Sequence, residues 1–187
     1  MKNFCLNCKL NETKEVLKSG LFSILKGKVP IIVCIGTDAV SGDSLGPMVG
    51  SRLKMSLAGK TFVFGSLDNP ITAKDVGGVA EFVKTVYSDC EILAIDAALG
   101  KKDEIGYIKL TDSPLKPGLG VDKDLSEVGT SSIIGIVEEK IYGKKYLSSV
   151  RLSIVYEQAQ VIGDAIVEYV DEVLSKRANL KTKTVWT

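Results

Sequence analysis

Residues 31–50 read IIVCIGTDAVSGDSLGPMVG, and the fold follows from how this stretch changes character along its length. Ile31, Ile32, Val33, Cys34 and Ile35 form an unbroken apolar run rich in β-branched side chains, the pattern of a strand covered on both faces. The run stops at Gly36. A polar loop from Thr37 through Asp38 to Ser44 then leads into Leu45, Gly46 and Pro47. Proline suits a first helical turn, because its missing amide hydrogen would have had no partner there. The stretch predicts strand, tight loop, helix, with Asp38 and Asp43 in the loop. Open α/β sheets bind ligands outside the carboxyl ends of their strands, so these two carboxylates sit where chemistry is done.

Working outward, Val16, Leu17, Leu21, Ile24 and Leu25 recur at helical spacing and predict a helix over 11–25, ended by Gly27 and Pro30. A helix is expected over 47–58, a strand over 61–64, and a loop from Gly65 to Pro70 that carries Asp68 and Asn69 to the same rim. A third helix should span 72–87. The apolar run Ile92, Leu93, Ala94, Ile95 then ends on Asp96, a second buried strand that delivers a carboxylate. Residues 106–110 suggest a strand and 111–120 a turn-rich loop. Residues 133–139 fit strand or helix, since Ser132 could cap a short helix. A last strand is expected over 152–156 and a last helix over 157–174, with Val161, Ala165, Tyr169 and Val173 at four-residue steps. Strands alternating with helices point to an α/β fold: a three-layer α/β/α sandwich around a mostly parallel sheet, with a mixed sheet left open. The expected division is an N-terminal helical extension at 1–28, one α/β domain at 29–175, and a basic mobile tail at 176–187.

Composition narrows the function. The chain has 187 residues, enough for one sizeable core, and balances 24 basic against 23 acidic side chains. No global field would draw in nucleic acid or an anionic membrane, so partners must be recognised locally. No apolar run approaches the roughly 18 residues that cross a bilayer, and the N-terminus lacks a signal-type apolar segment. A soluble cytoplasmic protein is expected. The four cysteines do not resemble a disulfide framework. Cys5 and Cys8 have CxxC spacing, but a zinc site would need two further ligands and the chain has no histidine. The same absence excludes Ser-His-Asp and Cys-His catalysis. Acid and base work therefore falls to carboxylates, Lys, Tyr or Cys.

Asp43 and Asp96 are the sharpest signal. If their strands are neighbours, the two carboxylates converge, one pKa rises while the other group stays ionised, and an acid and a base result without an imidazole. Such a pair could activate water against an amide. The plainer account makes Asp43 a helix cap and Asp96 a ligand of loop amides. A phosphate-binding loop is disfavoured because Asp43 stands where the pattern needs lysine, and no GxGxxG fingerprint is present. No cofactor is expected. A hard cation held by Asp43 and Asp96, with Asp38 beside them, is a weaker alternative.

The chain resembles the sporulation protein YyaC family, described as spore proteases and related in fold to the germination protease and the hydrogenase maturation endopeptidases. The resemblance covers residues 29–174 and rests on CIGTDAVSGDSLGPMVG at 34–50, GSLDNP at 65–70, AIDAALG at 94–100 and LKPGLGVDKDLSEVG at 115–129. It implies a hydrogenase-maturation-protease-like (phosphorylase/hydrolase-like) sandwich and a sporulation-associated endopeptidase acting on a peptide or protein, with Asp43 and Asp96 as catalytic residues. Thr37, Asp38, Asp68, Asn69, Lys116 and Gly118 would contact substrate. Three departures accompany it: Thr37 replaces an asparagine of both relatives, Lys116 stands where the germination protease has a histidine, and the histidine of the hydrogenase maturation proteases is missing. These argue against nickel recognition. The alternative is a catalytically silent sporulation protein that holds a peptide or partner in the same cleft; assembly with further copies of the chain fits either.

Overall fold

The computed structural model describes residues 2–117, 126–140 and 150–184. Its elements in chain order are β1 (Asn3–Asn7), α1 (Thr13–Leu25), β2 (Ile31–Cys34), α2 (Leu45–Ser56), β3 (Val63–Phe64), α3 (Val76–Val86), β4 (Ile92–Gly100), β5 (Tyr107–Thr111), β6 (Ser131–Glu139) and α4 (Leu152–Thr184), with 3-10 turns at Ser41–Ser44 and Lys102–Glu104. Among the described residues the strands form one sheet in the order β1-β5-β6-β4-β2-β3. The β3–β2, β2–β4 and β4–β6 pairs are parallel, whereas β5 runs antiparallel to β6 and β1 antiparallel to β5. The sheet is mixed, and its parallel part is the one that carries Asp96.

All four residues of β2 are buried because strands flank it on both sides and helices lie on both faces. Alternation along the strands separates two cores. Ile32, Cys34, Leu93 and Ile95 point toward α1, α2 and α4, where Leu17, Leu21, Leu53, Ile162 and Tyr169 meet them. Ile31, Val33, Ile35, Ile92 and Ala94 point the other way, toward Val76, Ala80 and Val83 of α3. These are the three layers of an α/β/α sandwich. No helix among the described residues is long and apolar enough to cross a membrane.

Several elements differ from expectation. Residues 1–28 contribute an edge strand as well as a helix, because β1 pairs with β5 over Asn3–Asn7. Residues 133–139 belong to strand β6, since they fill the gap between β4 and β5. Residues 152–156, expected as strand, open helix α4. Their β-branched and aromatic content is overruled by a buried stripe at helical spacing, Val155, Ala159, Ile162, Ile166 and Tyr169. The helix also continues through the expected mobile tail to Thr184. There Lys176 pairs with Glu172 one turn earlier at 2.7 Å, and Arg177 donates to the Gly27 carbonyl at 3.1 Å. Strand β4 does not stop at Asp96 but runs to Gly100. Cys5 is exposed on β1, Cys8 is buried just beyond it, and both are free thiols.

Candidate functional site

Strand β2 ends before its neighbour β4. The last β2 residue, Cys34, pairs with Ile95, so Asp96 is the first β4 residue beyond β2, and its pairing on the other side is with Ile134 of β6. The chain leaving β2 turns toward β3 instead, where the Gly36 amide donates to the Ile71 carbonyl at 2.9 Å. This is the switch point at which open sheets hold ligands.

The loop that follows folds back over the end of β2. The Thr37 amide donates to the Asp43 carbonyl at 3.1 Å, and the Asp43 amide donates to the Val40 carbonyl at 2.9 Å. Two serines fasten the turn: Ser44 Oγ donates to the Ser41 carbonyl at 2.7 Å, and Ser41 Oγ donates to the Val150 carbonyl, just before α4, at 3.0 Å. Glycine makes the fold-back feasible. Gly36 has φ +135°, and a Cβ on it would overlap the Asp43 carbonyl oxygen; a Cβ on Gly46 would overlap that of Ile35. The acid loop thus rests on the strand end at backbone contact and brings Asp43 to Asp96.

Burial raises the Asp96 carboxyl well above its ordinary value, and the charge of Asp43 raises it further; the Ala97 amide, donating to Asp96 Oδ1 at 2.8 Å, acts in the opposite sense. Burial also pushes Asp43 up, to about 6, against a backbone hydrogen bond from Thr37. Both carboxyls are thus held above their ordinary value by burial, and the Asp43 charge adds to the rise at Asp96. Both keep part of their surface open to solvent.

Asp43 is not the cap of α2: that position belongs to Ser44, whose side chain makes no capping bond. Of the remaining expected site residues, Thr37 lies against Asp43, while Asp38 is exposed in the same loop. Asp68 and Asn69 are exposed in the turn after β3, closed by reciprocal bonds between Ser66 and Asn69 at 3.1 and 3.2 Å. Lys116 is exposed and paired with Glu127 at 3.1 Å, beside the bridge between Leu115 and Val128. Gly118 lies outside the described residues. Sequence reasoning missed the Ser41 tether to Val150, which joins residues 109 positions apart and has no local signature. Two carboxylates without an imidazole fit a nickel-type ion poorly, and no group of three or more His, Cys, Asp or Glu residues is placed to hold a metal among the described residues.

Comparison with solved structures finds the hydrogenase maturation protease HycI from Thermococcus kodakarensis KOD1, at TM-score 0.54 and 19% identity, covering 83% of this chain and 99% of that one. The sandwich is the fold of that protease. Among curated sequences, the uncharacterized protein YyaC of Bacillus subtilis (strain 168) is 38% identical over 141 residues, 75% of this chain and 69% of that protein. The family described as "Protein of unknown function (DUF1256)" matches residues 5–165, a span that contains both acids, and the chain belongs to it.

Proposed function

We propose that the protein is an endopeptidase of sporulating cells, acting in the cytoplasm or forespore, in which Asp43 and Asp96 divide the work of peptide hydrolysis. The observation that supports the reading is that the fold-back of the loop onto the β2 end brings two carboxyls together, both raised by burial, Asp43 to about 6 and Asp96 further by the charge of Asp43. Asp43, as carboxylate, takes a proton from water as the oxygen attacks the amide carbon. Asp96, as carboxylic acid, donates a hydrogen bond to the carbonyl oxygen as negative charge develops there. Collapse of the tetrahedral intermediate breaks the C–N bond, and the proton held by Asp43 passes to the departing amine. The protease fold of the solved neighbour is consistent with a polypeptide substrate, and the sporulation setting follows from the YyaC resemblance.

The Lys116–Glu127 ion pair, at the position where the germination protease has a histidine, favours a second reading in which the site holds a polypeptide without cutting it. One experiment separates the two. The purified protein is incubated with a spore extract and new protein termini are mapped. Cleavage should rise as Asp43 ionises near pH 6, decline at higher pH as Asp96 loses its proton, and fall at least about 100-fold in Asp43→Asn and in Asp96→Asn, in line with the loss of a general acid or base. Undiminished cleavage by the double variant would reject the peptidase reading.

A further inference from the structure

Side-chain alternation assigns the faces of four strands. Phe4 and Leu6 of β1, Ile108 and Leu110 of β5, and Ile133 of β6 pack with Leu93 and Ile95 of β4 in the core under α1 and α4. The residues between them point to the opposite face. Register then links four of these into a line: Cys5 pairs with Lys109, Lys109 with Ile134, and Ile134 with Asp96. An acid, an apolar side chain, an ammonium and a thiol cross the sheet in one row, perpendicular to the strands. Cover thins along it. Ile134 packs partly against the α3-side core, Lys109 is half-buried, and Cys5 is exposed.

Lys109 is held in place. Its Nζ donates to Glu104 Oε1 at 2.7 Å, and Glu104 Oε2 accepts from the Lys101 amide at 2.9 Å. An ammonium has three donors, so two of those on Lys109 have no partner among the described residues. Strands are spaced about 4.8 Å apart, which puts Lys109 about 10 Å from Asp96 along the row, the length of about three residues of extended chain.

We propose that this row is the floor on which the polypeptide lies, and that Lys109 selects a substrate with an aspartate or glutamate side chain about three residues from the bond held at Asp96. The proposal rests on the acid-pair reading for the position of that bond. Ile134 supplies the apolar contact between, and the positive charge of Lys109 complements an acidic side chain better than a neutral or basic one.

The test measures binding, which needs no turnover. The probes are fluorescein-labelled octapeptides with blocked ends, a single Glu moved through the sequence, and matched Gln and Lys versions, read by fluorescence polarisation. The expected result is about tenfold tighter binding of the best-placed Glu peptide than of its Gln match, as for one charge-assisted hydrogen bond. Lys109→Gln should abolish that preference. The charge exchange Lys109→Glu with Glu104→Lys, which keeps the ion pair, should turn it toward the Lys peptide. In a Cys90→Ser background, Cys5 is the exposed thiol left, because Cys8 and Cys34 are buried; coupling a bulky maleimide to it should block binding of peptides that extend past Lys109. An unchanged Glu preference in both Lys109 variants, or undiminished binding after Cys5 is labelled, overturns the proposal. So does failure of every peptide to bind. The readout is the Glu-over-Gln binding ratio, not turnover, so the peptidase reading can fail by its cleavage test while this one stands.

Discussion

One face of the sheet lies under three helices, where Leu53, Leu93, Ile162 and Tyr169 are fully buried. The other face has α3 over β2 and β4, while Lys109 is only half-buried on β5 and Cys5 is exposed on β1. The closed face carries most of the apolar burial and hence most of the stability. The half-covered face carries the polar groups that a closed core would not tolerate, and Asp96 sits where its cover thins.

The comparison breaks most visibly if the two faces respond alike to truncation. Leu93→Ala, on the closed face, should lower the free energy of unfolding by about 3–5 kcal/mol, whereas Ile134→Ala should cost about 1–2 kcal/mol because its site is partly open. Urea denaturation of both variants measures the difference, and equal losses would contradict it. The acid pair should show the opposite sign. Burial raises Asp43 from 3.8 to about 6, so the native state keeps a proton that the unfolded chain has released, and stability falls as pH rises through that window. Asp43→Asn should therefore stabilise the fold, by up to about 3 kcal/mol above pH 6, with the gain vanishing below about pH 4. Asp96→Asn should act in the same direction. Thermal melts at pH 4 and pH 8 test both, and a loss of stability at pH 8 would refute the account. The smallest effect sharpens the picture of the closed face. Tyr169 donates to the Lys28 carbonyl at 2.8 Å, and Tyr169→Phe should cost only about 1 kcal/mol, because the ring and its edge contact with Phe22 remain.

The parallel part of the sheet was legible because it is written in continuous apolar runs. Ile31–Cys34 and Ile92–Ile95 announce themselves as strands buried on both faces, and the acids beyond them stand out for that reason. β6 was not legible, since Ser131, Ser132 and Gly135 interrupt its apolar pattern; Gly135 is small because Leu45 and Gln158 occupy the space a side chain would take. The opening of α4 misled because Ile154, Val155 and Tyr156 favour strands, and only packing against the rest of a helical stripe decides the matter. The tail misled because its support is a basic side chain reaching Gly27, far away in the chain. Convergence of Asp43 with Asp96 could be anticipated from strand ends. The row from Asp96 to Cys5 could not, because it depends on the register of β5 between β6 and β1.

Strand β1 is made before the other strands of the sheet, yet its partner β5 lies about a hundred residues downstream, with Asn3 opposite Thr111. Closing so long a loop costs conformational entropy before any ladder bond forms, and contacts of this range slow folding. On the ribosome the opening strand must wait until β5 has emerged. The edge of the sheet is thus completed late, after the parallel strands beside it have already been made.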